Sequence, residues 1–170
     1  MDEIKELIQI ARDDNQKVDV IEAIQYLANK NIEEALPALK DIFFHPLTNH
    51  DVRLESGRLI ATTKSNPVYN LLISHLILRN FSDIIAIIYT LGEYRDNAVY
   101  DILIRDYLTF SFEAQLEVID AISKIESIQS IEFFSQVYNG EILSPNLKHE
   151  QIQQLKERAG DALQNQVIDI

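Results

Sequence analysis

The chain has 170 residues, with 27 Asp and Glu against 15 Lys and Arg, a formal net charge of −12 and no cysteine. That charge repels phosphate backbones and favours solubility or a cationic protein partner, so no nucleic-acid ligand is expected. Without cysteine there are no disulfides, thiolate zinc sites or cysteine nucleophiles; stability must come from packing, and a cytoplasmic setting is the matching expectation.

In chain order, residues 1–14 mix Asp2, Glu3, Lys5 and Glu6 with apolar positions, the wrong pattern for a signal peptide. Their apolar spacing predicts a first helix carrying Ile4 and Leu7, followed by a second carrying Val20, Ala23, Ile24 and Leu27. A third opens at Ala35 and buries Leu36, Leu39, Ile42 and Phe43, with Pro37 in its first turn, where a missing N–H costs little. Beyond Pro46 the pattern returns at Val52, Leu59 and Ile60, with Gly57 inside the helix, where close approach of a neighbouring helix explains it. Residues 65–78 are nearly free of charge but too short for a membrane span, and they carry Asn66, Asn70 and His75, so no membrane crossing is expected. Further helices follow at Ile84, Ile87, Ile88 and Leu91, at Val99 and Ile102, at Val118, Ala121, Ile122 and Ile125, and at Ile131 and Phe134. Ser82 and Ser111 can cap helix starts, Gly92 and Gly140 suit helix ends, and Pro145 precedes a last helical segment.

These elements repeat. A small or first-turn residue, an aliphatic one, two variable positions and a large apolar one recur with first members Glu3, Ala35, Pro67, Ala98 and Ser130, spaced 32, 32, 31 and 32 residues apart. The next step reaches Asp161 and Ala162, near the last residue of the sequence. The period predicts an all-α fold, a right-handed α-α superhelix of about five helical hairpins in one domain over 1–170, with units near 1–30, 31–64, 65–94, 95–127 and 128–170.

Leu91, Gly92, Glu93, Tyr94, Arg95, Asp96, Asn97, Ala98, Val99 and Ile102 resemble the leucine, glycine, acidic-loop, alanine, valine and leucine signature of HEAT-like repeats of the phycobilisome lyase type. Asp51, Val52, Arg53, Ser56, Leu59 and Ile60 are similar to the second-helix pattern of that family, and Ala35 to Leu39 to its first-helix opening. The unit from Ser130 onward departs most and reads as a cap. The resemblance implies a HEAT-like solenoid, a structural bridge at Arg53 and Asp51, and, because the family includes bilin lyases, a cleft for an open-chain tetrapyrrole with Tyr89, Tyr94 and Arg95 as candidates. It implies a fold more firmly than an activity.

Catalytic chemistry is not signalled. His45, His50, His75 and His149 include no pair at helical ligand spacing, the four glycines form no phosphate loop, and no serine sits in a nucleophile elbow, so no metal, cofactor or catalytic residue is assigned. What remains is surface. On the second helices, which line the concave side of a solenoid, helical spacing turns outward Glu22, Gln25, Tyr26, Glu55, Arg58, Tyr89, Glu93, Glu117, Asp120 and Lys124. Asp51, Arg53, Gly57 and Gly92 are read as structural. The main expectation is a non-enzymatic interaction module or scaffold binding a protein with a basic patch; a bilin lyase-like factor and an acidic inhibitor or immunity-type protein are the alternatives. An uncapped end also allows pairing with a second copy.

Overall fold

A computed structural model describes residues 17–125 and 127–167. Among the described residues there are eight α-helices and no strand: α1 Lys17–Phe44, α2 His50–Thr62, α3 Asn66–Leu78, α4 Ile84–Tyr94, α5 Asn97–Asp106, α6 Phe112–Ser123, α7 Ile128–Asn139 and α8 His149–Val167, with one 3-10 turn at Tyr107–Thr109. The chain divides into two compact units, one ending at Tyr94 and the other starting at Arg95. The first predicted helix, near Ile4 and Leu7, lies outside the described residues.

Local chemistry sets the helix boundaries. Asn49, Asp83, Asp96, Ser111 and Ser127 each accept a bond from a first-turn amide of α2, α4, α5, α6 and α7, so five helix starts are closed by short polar side chains. Asp83 does the work expected of Ser82. Pro67 sits at the start of α3, where its missing N–H is harmless. Helices α3, α5 and α7 begin at residues 66, 97 and 128, a step of 31 residues.

Two expectations are corrected. Residues 17–44 form one 28-residue helix, so the predicted break near residue 30 is absent and Pro37 lies inside a helix instead of opening one. The run from Ala28 to Leu36 contains neither Gly nor Pro, so nothing stops the helix. Burial of Ala35, Ala38, Leu39, Ile42 and Phe43 around the exposed Pro37 offsets the one hydrogen bond its ring removes. Gly92 is near a helix end as expected, in the last turn of α4, but it is buried and helical, and it is Arg95 (φ +54°), just past that end, that takes the left-handed conformation.

In the first unit, α1 packs on α2, α2 on α4, and α3 on α4. Its core holds Phe43, Val52, Ile60, Leu72, Ile87 and Leu91. Gly57 marks the tightest approach: a methyl group there would collide with Thr90 Oγ1 of α4 and lie 3.0 Å from Phe43 Cε2 of α1. In the second unit α8 packs on α7 and α6, burying Leu155 and Ala159 with Val118, Ile122, Phe134 and Val137. Gly140 ends α7 with φ +82°, a left-handed closure that glycine adopts without strain.

Candidate functional site

The second-helix positions fall into two groups, one in each unit. In the first unit three helices contribute to one polar face. Glu55 of α2, with its side chain 16% exposed, accepts from Arg58 Nη2 at 2.6 Å and Nε at 2.9 Å, a bidentate pair one helical turn apart. Gln25 of α1 adds a third bond from Nε2 to Glu55 Oε1 at 3.1 Å. The Arg58 hydrogen bonds, aided by Gln25 and opposed by burial, hold the Glu55 carboxyl below its ordinary value. Arg58 is raised in turn, first by Glu55, with Tyr89 and Glu93 of α4 also acting on it electrostatically. Tyr89 and Glu93 are four residues apart and share a helix face. Tyr26 of α1 is 48% exposed next to Gln25. The structure therefore brings Gln25, Glu55, Arg58, Tyr89 and Glu93 together, while the Glu22 side chain lies outside the described residues.

In the second unit, Glu117, Asp120 and Lys124 follow the spacing of α6, and all three are half-buried. Asp120 faces Arg158 of α8 at 3.5 Å. Burial raises the Asp120 carboxyl above its usual range, and the nearby Arg158 and Lys124 charges only partly counter it.

In the structural set, Arg53 joins the predicted 31–64 and 65–94 units through Asp83. Arg53 is 4% exposed and is a hub. Its Nε donates to Phe43 O at 2.9 Å, a last-turn carbonyl of α1, and its Nη2 to His45 O at 2.9 Å just past the helix end, while Nη1 meets Asp83 Oδ2 at 2.7 Å. The guanidinium also lies 5.1 Å from the Phe81 ring centroid. The bridge from α2 thus runs to Asp83 at the start of α4, and Asp51 is an exposed first-turn acid that complements the helix dipole. His50 Nδ1 joins Asp83 Oδ2 at 2.8 Å. Burial pushes the Asp83 carboxyl up, but the bonds from His50, Arg53 and the Ala86 amide outweigh it and hold it below the ordinary value. Sequence reasoning missed Asp83, although an Asp directly before the apolar run from Ile84 was a readable cap signal.

Of the tetrapyrrole candidates, Tyr94 is 6% exposed; its hydroxyl donates to Ser65 O at 3.3 Å and burial pushes it up to about 12. It is a wall of the fold, tilted against Tyr69 at 5.1 Å, with Lys64 Nζ donating to its carbonyl. Among the described residues, no group of three or more His, Asp or Glu could hold a metal ion, and no helix is long and apolar enough to cross a membrane.

No family model, curated protein or solved structure matches this chain.

Proposed function

We infer that the chain is a non-enzymatic interaction module whose first unit binds a protein partner on the face formed by α1, α2 and α4. The observation that carries this reading is the convergence of Gln25, Glu55, Arg58, Tyr89 and Glu93 on one side of three helices whose other sides are packed in the core. Tyrosines beside a guanidinium and carboxylates make a typical recognition surface, since each ring has an apolar body and a polar tip. We read the helix order and the 31–32-residue period together as a right-handed HEAT-like solenoid, in which this face lies on the concave side. Glu55 is already met by Arg58 and Gln25 within the fold, so recognition on this face uses the tyrosine rings together with the guanidinium and carboxylates around them.

The test is affinity capture from extract of cells that express the chain, comparing the natural sequence with a Tyr26→Ala, Glu93→Lys variant and with Glu132→Lys, an exposed α7 position, as control. A stoichiometric partner held by the natural chain and the control but lost by the double variant is the expected outcome. Equal retention by all three, or no partner on the natural chain, would overturn the reading.

A further inference from the structure

The face just described leaves α3 unused, and α3 is unlike every other described helix. Its inner side buries Val68, Leu72 and Leu76 and packs on α4. Its outer side repeats Pro67, Leu71, Ser74 and Leu78 at intervals of four, three and four residues, with Ile77 beside them. Leu71, Ile77 and Leu78 are 38%, 48% and 66% exposed, three of the eight exposed large apolar side chains among the described residues. This is the spacing of a helix seam, with large apolar side chains facing solvent and the uncharged Asn66, Asn70 and Ser74 alongside them.

Charge selects the occupant. The chain carries a net charge of −12, and α3 is the only described helix with no Asp, Glu, Lys or Arg. Every other described helix carries at least one Asp or Glu, whereas two copies approaching through α3 bring no carboxylate of that helix together. A partner covering this stripe needs an equally uncharged apolar ridge, and a second α3 is such a ridge.

We propose that two copies of the chain associate through α3, antiparallel, about a twofold axis passing close to Ser74. In that arrangement Leu71 meets Leu78 of the partner subunit and the reverse, as a twofold interface requires. The small Ser74 lets the two backbones approach at the centre, and the antiparallel helix dipoles are mutually favourable. A 13-residue helix is about 20 Å long, so one helix face from each copy falls short of the roughly 1,200 Å² of a standard stable interface. The dimer is therefore weak and exchanging, and it is independent of the partner-binding face on α1, α2 and α4.

The absence of cysteine gives a clean test. Ser74 is exposed and its hydroxyl donates only within its own helix, to Asn70 O at 2.8 Å, so Ser74→Cys disturbs little. In a glutathione redox buffer, two such thiols are oxidised to one disulfide while oxidised glutathione is reduced to two thiols. The expected result is covalent dimer forming at least tenfold faster for Ser74→Cys than for Gln164→Cys, an exposed position on α8. Adding Leu71→Glu and Leu78→Glu to Ser74→Cys removes that advantage while the circular dichroism spectrum stays unchanged, because both leucines are exposed. Equal rates for the two cysteine positions would refute the proposal, as would an advantage that survives the glutamates.

Discussion

Replacing Gly57 by alanine separates close packing from helix propensity by sign. In an exposed helix interior, glycine to alanine stabilises by about 1 kcal/mol. At Gly57 the new methyl would strike Thr90 Oγ1 and lie 3.0 Å from Phe43 Cε2 and 3.2 Å from Thr90 Cβ. Neither neighbour yields easily. The Thr90 hydroxyl donates to Ala86 O at 2.8 Å in a fully buried position, and Phe43 is stacked on Phe81 at 5.9 Å and set edge-on to Phe44 at 4.9 Å. Overpacking of this kind costs about 1–3 kcal/mol, which the propensity gain offsets by about 1 kcal/mol, so Gly57→Ala should destabilise by about 1 kcal/mol net, read as a lower urea midpoint at constant slope by far-UV circular dichroism. Thr90→Ala removes the nearest atom while leaving Phe43, so in that background Gly57→Ala should cost about 1 kcal/mol less, a coupling a double-mutant cycle resolves. A neutral or stabilising effect of Gly57→Ala in the natural sequence would refute the argument.

Two half-buried carboxylates should respond to pH in opposite senses. The folded-state pKa of Asp83 is depressed, so its contribution to stability is present above the unfolded range near pH 4 and is lost as pH falls through the folded value. Asp83→Asn should lower the urea midpoint at neutral pH and approach the natural chain in acid. The folded-state pKa of Asp120 is raised, so its contribution is present below the unfolded value and is lost as pH rises through the folded one. Asp120→Asn should raise the midpoint at neutral pH and converge in acid; the same sign for both variants would show that one environment is misread. Tyr107 is 1% exposed, packs edge-on to Phe133 at 5.1 Å, and its hydroxyl has no hydrogen-bond partner among the described residues. Tyr107→Phe should therefore leave stability unchanged or raise it by about 1 kcal/mol, and a loss of that size in thermal unfolding would mean the hydroxyl is paired.

The sequence carried the helices where apolar spacing and caps agreed. The groups opening at Val52, Pro67, Ile84, Ala98 and Ser130 lie in α2, α3, α4, α5 and α7, because a three-four apolar spacing can bury only one helix face. The errors arose where punctuation was read as local. Pro37 lies inside a helix and Gly92 is helical and buried in the last turn of α4, each among residues buried against other elements, which no single-residue preference shows. Conversely, the chain turns left-handed at Lys64, Arg79 and Arg95, each at or just past a helix end. A residue with a β-carbon there costs about 1–2 kcal/mol, and a cation facing the negative end of the helix dipole offsets part of it. Since Lys and Arg are common everywhere, their sequence positions give no warning.

The face residues show a similar gap between composition and structure. Helical spacing was enough to place Gln25, Glu55, Arg58, Tyr89 and Glu93 on one side, but it could not show which charges remain available to a partner. Glu55 counts toward the net charge, yet it is satisfied by Arg58 and Gln25 within the fold. Asp120 counts equally, yet burial opposes its ionisation. At Glu55, the charge that suggests a basic partner is thus already used inside the fold. On the reading proposed above, recognition there rests on the rings of Tyr26 and Tyr89 beside this polar network, which selects by shape and burial, while the net charge acts at longer range by turning anions away.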